Sequence, residues 1–193
     1  MQRICVFAGS SSGTRQAYAQ AATDLAQELI LRNLGLVYGG ASVGLMGILA
    51  DSMLAGGGEA IGVIPRSLLR KEVKHSGLSD LRVVETMHER KAMMADLADG
   101  FIALPGGFGT FDELFEILTW AQLNFHQKPV GLLDIAGYFT PLLSFIQHVS
   151  AEGFVRPEHL TLLLHDTEPG RLLEQFAHYT PVSLSKWSEL PPR

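Results

Sequence analysis

The chain is poor in cysteine: Cys5 is the only one among 193 residues. That excludes an intramolecular disulfide framework and any multi-cysteine zinc or iron–sulfur site. No apolar run approaches the ~18–20 residues that a membrane span needs. Basic charge is also short, with 15 Lys and Arg against 20 Asp and Glu, a net charge of −5 and a pI near 5.8. A non-specific nucleic-acid binder needs a basic stripe against phosphates, and none is present. The seven histidines include no H-x-x-x-H or H-E-x-x-H spacing, so no metal site is expected. No G-x-x-x-x-G-K-[ST] occurs, which excludes a P-loop NTPase, and Ser10, Ser11 and Ser12 lack the G-x-S-x-G context of a serine hydrolase. The N-terminal MQRICVFAGSSSG enters a strand-like run directly, without signal-peptide anatomy. A soluble cytoplasmic domain is the expectation.

What is present is apolar bulk. Hydrophobic residues make up 47% and charged ones 18%, enough for a large core in one α/β domain. Short β-branched runs alternate with helical patterns, the signature of βαβ units and a parallel sheet. Strands are predicted at 4–9, 35–39, 59–64, 81–85, 100–104, 128–133 and 160–165, and helices at 14–32, 44–55, 88–98, 110–125, 138–151 and 168–177. Several strands are apolar on consecutive residues, as when helices cover both faces. The fold class is therefore α/β, a doubly wound and mostly parallel sheet of about seven strands. Residues 66–80 read as a charged excursion. One domain spans 1–179, and 180–193, with Pro181, Pro191 and Pro192, reads as a surface tail.

Three predicted strands end in glycine turns that lead into helices: 8–13 (AGSSSG), 38–44 (YGGASVG) and 104–110 (LPGGFGT). In a parallel sheet all three lie at the carboxyl edge, where ligands bind at a topological switch point. Glycine lets backbone approach a phosphate closely, and a helix N-terminus adds N–H groups and a positive dipole end. Glycine after a strand is ordinary turn chemistry, but three such turns on one edge point to an anionic ligand. The third lacks the last glycine of G-x-G-x-x-G, so a mononucleotide or sugar phosphate fits better than a dinucleotide. Ser10, Gly40, Gly106, Gly107, Phe108, Gly109 and Thr110 are the candidate contacts on these turns.

Two charged segments flank the third turn. Met87-His88-Glu89-Arg90-Lys91 opens a helix, with both cations expected in its first turn, where the dipole disfavours positive charge unless an anion sits nearby. Thr110-Phe111-Asp112-Glu113 matches a T-x-x-E capping box. The competing reading of Glu113 is a carboxylate at the mouth of the glycine loop, placed to stabilise an oxocarbenium ion or to orient a water.

Pro105 to Glu113 carries a complete P-G-G-x-G-T-x-x-E motif, and Met87 to Lys91 an M-H-x-R-K. Together they resemble the Lonely Guy (LOG) family of cytokinin riboside 5′-monophosphate phosphoribohydrolases, often mislabelled lysine decarboxylases. The likeness runs from VFAGSSSG through YGGASVGLMG to KPVGLL and fades after about residue 178. It implies a Rossmann-like homodimer that hydrolyses the N-glycosidic bond of an adenosine-type 5′-monophosphate; with no ligand cluster visible in the sequence, neither cofactor nor metal is expected. By position it implies Arg90 and Glu113 as the catalytic pair. Glu72, Met87, Lys91, Thr119 and the glycine loop would contact substrate. Whether Arg90 would serve the phosphate or the leaving base stays open. Phe108 stands where Tyr is common, and Asp112 where Glu is common. The alternative on the same fold is a non-catalytic nucleotide or molybdenum-cofactor carrier, which would need the loops but not the carboxylate. A decarboxylase would need a pyridoxal-binding lysine, and no lysine stands in such a setting.

Overall fold

A computed structural model describes residues 1–69 and 75–181. Strand β1 (Arg3–Phe7) runs through helix α1 (Gln16–Leu31) to β2 (Gly35–Tyr38), and α2 (Gly44–Ala55) leads on to β3 (Ala60–Pro65). Further along the chain come β4 (Asp80–Val84), α3 (Met87–Leu97), β5 (Gly100–Ala103), α4 (Phe108–Gln122) and β6 (Val130–Leu133). Helix α5 (Thr140–Ala151), β7 (Leu163–Asp166) and α6 (Pro169–Ala177) close the fold. The strand order is β4-β3-β2-β1-β5-β6-β7, and every neighbouring pair is parallel. The chain steps outward from β1 to β4, then returns to the other side of β1. The switch point therefore lies between β1 and β5, where the first and third glycine turns emerge.

Alternation along each strand divides the core in two. Ile4, Val6, Leu36, Tyr38 and Ile102 pack with α1, α2 and α6. Cys5, Phe7, Val37, Phe101 and Ala103 pack with α3, α4 and the inner side of α5. With helices on both faces, a strand has no polar side to present, which is why its residues are apolar in succession. Cys5 is fully buried, and burial, reinforced by the negative charge of Glu113, pushes its thiol well above the ordinary range.

The structure moves one predicted strand. Residues 160–165 read as a single strand, but Pro157–Leu162 is a 3₁₀ turn and β7 starts at Leu163. Pro157 sits at the first position of that turn, where its fixed φ suits a helical start. The leucine run then serves two elements, with Leu162 buried and Leu163 paired to Val130. No helix among the described residues is long and apolar enough to cross a membrane.

Candidate active site

The first and third glycine turns are joined across the switch point. The Gly9 N–H donates to the Pro105 carbonyl at 3.1 Å. Between them lies a cleft of about 230 Å³ lined by Gly9 to Gly13, Tyr18, Leu45, Pro105 to Gly107 and Tyr138. Ser10 is exposed at its rim. Helix α4 begins directly after this loop, with Gly107 as its N-cap and no side-chain cap. The amides of Phe108, Gly109 and Thr110 are thus the first three of the helix, which have no intrahelical acceptor. Space beside Gly107 and Gly109 is open, and Phe108 is 95% exposed. Gly106 lies under the Thr110 hydroxyl, where a Cβ would come within 2.1 Å of Oγ1.

The second turn has a different job. The amides of Leu45 and Met46 at the start of α2 donate to the Gly9 carbonyl at 3.0 and 3.4 Å. That helix end supports the first loop and is spent within the protein. Gly40 is buried, and its carbonyl accepts from the His75 amide at 3.3 Å. Gly39 makes room for Arg90, since a Cβ there would lie 2.1 Å from Nη2.

Helix α3 starts one residue before its predicted position because Thr86 caps it, accepting from the Glu89 amide at 3.1 Å. The Glu89 carboxylate in turn accepts from the Glu85 amide at 2.8 Å. Arg90 and Lys91 consequently fall in the second turn, and the anions beside them come from α4. The Arg90 guanidinium is buried. It donates through Nε to the Val63 carbonyl at 3.0 Å and through Nη2 to the Gly39 carbonyl at 3.3 Å. Its Nη1 lies 3.6 Å from Glu113 Oε1 and near Met87 Sδ. Lys91 Nζ is held by Asp112 at 3.1 Å and Glu116 at 3.0 Å. The other Glu116 oxygen is buried without a hydrogen-bond partner.

Glu113 is not a cap. With Gly107 at the N-cap, Thr110 is the third helical residue and Glu113 the sixth, so the T-x-x-E box does not form. The misleading signal arises because the glycine pair starts α4 two residues before residue 110. Glu113 instead leaves the helix toward Arg90. Burial raises its carboxyl to about 7, against the opposing pull of Arg90. Half-ionised near neutral pH beside a fixed cation, it suits a group that handles a proton or a developing positive charge.

The structure thus gathers the glycine loop, Met87, Arg90, Lys91 and Glu113 on one edge. Thr119 stands apart, exposed on α4 with its hydroxyl donating to the Phe115 carbonyl at 2.7 Å. Glu72 lies outside the described residues. Two elements escaped the sequence reading. Tyr138 reaches the cleft from the loop after β6, and no local motif marks it. Glu116, three residues beyond Glu113, shares the face of α4 that meets α3, and that helical spacing was a usable signal.

A family profile described as possible lysine decarboxylase matches residues 46–176. Two cytokinin riboside 5′-monophosphate phosphoribohydrolases of Arabidopsis thaliana are each 48% identical to the chain. One match covers 94% of this chain and 80% of the relative, and the other 97% and 87%. Among solved structures, the molybdenum cofactor carrier protein of Chlamydomonas reinhardtii superimposes with a TM-score of 0.70. It has 21% identity and covers 92% of this chain and 99% of its own. The molybdenum cofactor binding protein of Rippkaea orientalis gives 0.68 at 22% identity, over 92% and 96%. At that identity the likeness speaks to the Rossmann-like fold alone. Identity near one half over almost the whole length speaks to ancestry, and the chain belongs to the LOG family of phosphoribohydrolases.

Proposed function

We propose that the chain hydrolyses the N-glycosidic bond of a cytokinin riboside 5′-monophosphate or AMP, releasing the free base and ribose 5-phosphate. The observation that carries this reading is Glu113, a buried carboxyl raised to about 7 at 3.6 Å from an immobilised Arg90. The first-turn amides of α4 hold the 5′-phosphate, aided by the dipole of that helix. The Glu113 carboxylate faces the ribose, where it stabilises positive charge on C1′ and takes a proton from the attacking water. Two of the Arg90 nitrogens already serve backbone carbonyls, so we assign it to fixing Glu113 and the base end rather than the phosphate. A carrier would have no use for a buried carboxyl with a raised pKa. Purified protein incubated with AMP and with isopentenyladenosine 5′-monophosphate should yield free base and ribose 5-phosphate in equal amounts. Tight nucleotide binding with no base released would favour the carrier instead.

We also propose that the working form is a homodimer. Helix α5 contains no buried residue although it reads TPLLSFIQHVSA. Its Phe145, Ile146 and Val149 join Phe115, Leu118 and Leu160 in lining an apolar groove of about 300 Å³, and Phe145 and Phe115 are exposed there, as apolar side chains at an interface between copies would be. Thr119 lines the same groove, so as a substrate contact it belongs to a site completed by the second copy. Light scattering should give about twice the 21.0 kDa chain mass, and Phe145→Glu should halve it. A wild-type mass near 21.0 kDa at micromolar concentration contradicts the dimer.

A further inference from the structure

We propose that Tyr138 is a positioning residue for phosphate recognition, its hydroxyl locking the peptide that opens the glycine loop. The inference rests on the reading above, in which that loop holds the 5′-phosphate. Tyr138 Oη donates to the Gly106 carbonyl at 2.5 Å. The peptide bonds of the described residues contain no cis form, and in a trans peptide the C=O and the following N–H point in opposite directions from one plane. Holding the Gly106 carbonyl therefore aims the Gly107 N–H and sets the entry angle of the three open amides behind it. Such a lock has something to do here. Two consecutive glycines, 106 and 107, sample backbone conformations that other residues avoid, so an untethered peptide between them would reorient readily. No side chain caps α4 to hold it.

Tyr138 is itself held from three directions. Its ring meets Tyr18 edge-on at 5.7 Å and Phe139 at 4.9 Å. The preceding Ala136 and Gly137 are both left-handed, with φ of 52° and 74°, an arrangement a non-glycine residue adopts only when its surroundings enforce it. Arg15, at the N-cap of α1, supplies one constraint by donating to the Ala136 carbonyl at 3.1 Å. Buried Asp134 supplies the other, accepting from the Phe139 amide at 2.5 Å and the Thr140 hydroxyl at 2.7 Å. A strained, doubly tethered loop that delivers one hydroxyl to one glycine carbonyl is a support built for that carbonyl.

Tyr138→Phe keeps the ring and removes the donor. Inhibition of AMP cleavage by ribose 5-phosphate should weaken about five- to tenfold, the scale of one lost hydrogen bond, and KM for AMP should rise in step. Inhibition by free adenine and kcat should hold, since Arg90 and Glu113 are untouched. A second variant, Thr140→Val, loosens the same loop from the Asp134 side and should shift ribose 5-phosphate inhibition in the same direction by a smaller factor. If the wild type is inhibited but both variants match it, the lock is overturned while the phosphate reading stands. Equal weakening toward adenine and ribose 5-phosphate would mean general loosening of the site, and would also overturn the lock. A wild type that ribose 5-phosphate does not inhibit overturns the phosphate reading and this inference with it.

Discussion

Glu113→Gln is expected to make the protein more stable at pH 8 while lowering kcat by ~10²–10³, the scale of losing one electrostatic stabiliser. The stability gain follows from the buried carboxyl. Its folded-state pKa is about 7 against an ordinary value of 4.5, so the native state binds that proton more tightly than the unfolded chain does. Below pH ~4.5 the group is neutral in both states and costs nothing. As pH rises from there through about 7, the unfolded carboxyl ionises first, and stability falls by up to roughly 3 kcal/mol. Gln is neutral throughout and escapes that loss. Thermal melts should show the variant several degrees higher at pH 8, with the gap closing toward pH 4.5. The wild-type kcat should rise through pH 7 as the working carboxylate forms, and the residual rate of the variant should be flat there. AMP binding should persist. A variant of ordinary activity and unchanged melting would return Glu113 to the rank of a helix residue.

Adenosine should be cleaved far more slowly than AMP. The amides of Phe108, Gly109 and Thr110 open α4 with no side-chain cap and no intrahelical acceptor, at the positive end of its dipole, and a riboside offers them no anion to bind. Charge-assisted hydrogen bonds contribute ~1.5–3 kcal/mol each, so losing two or three of them corresponds to about 10²–10⁷ in kcat/KM. Comparable kcat/KM values for the two compounds would remove the phosphate from the account of this site.

The sheet was legible because strand and helix periodicities differ, and the consecutive apolar runs announced a sheet covered on both faces. The candidate site was legible as far as contiguous motifs reach: the glycine turns, Arg90 and Glu113, which the structure brings to one edge. Helix starts were less so. Thr86 to Glu89 also reads T-x-x-E, and there the Thr does cap, whereas Thr110 to Glu113 carries the same letters without a cap. Letters alone do not say that Gly106-Gly107 starts the second helix early. The three glycine turns looked alike, yet one supports another through Leu45, Met46 and the Gly9 carbonyl, a distinction made by packing. The anions expected near Arg90 and Lys91 exist, but they are Glu113, Asp112 and Glu116 on α4. Tyr138 was invisible because only the sheet order brings the loop after β6 beside the loop after β5.

Cys5 makes the chain its own reporter. The only sulfhydryl in the sequence sits on the strand at the switch point, hydrogen-bonded into β2 on one side and β5 on the other, and burial keeps it in the unreactive thiol form. A thiol reagent meets it only when the middle of the sheet parts. The labelling rate of the unaltered protein is therefore a clock for opening at the strand whose end carries the glycine loop. Any ligand that ties the loops after β1 and β5 together slows that clock, so occupancy of the cleft can be followed without turnover, tag or added fluorophore.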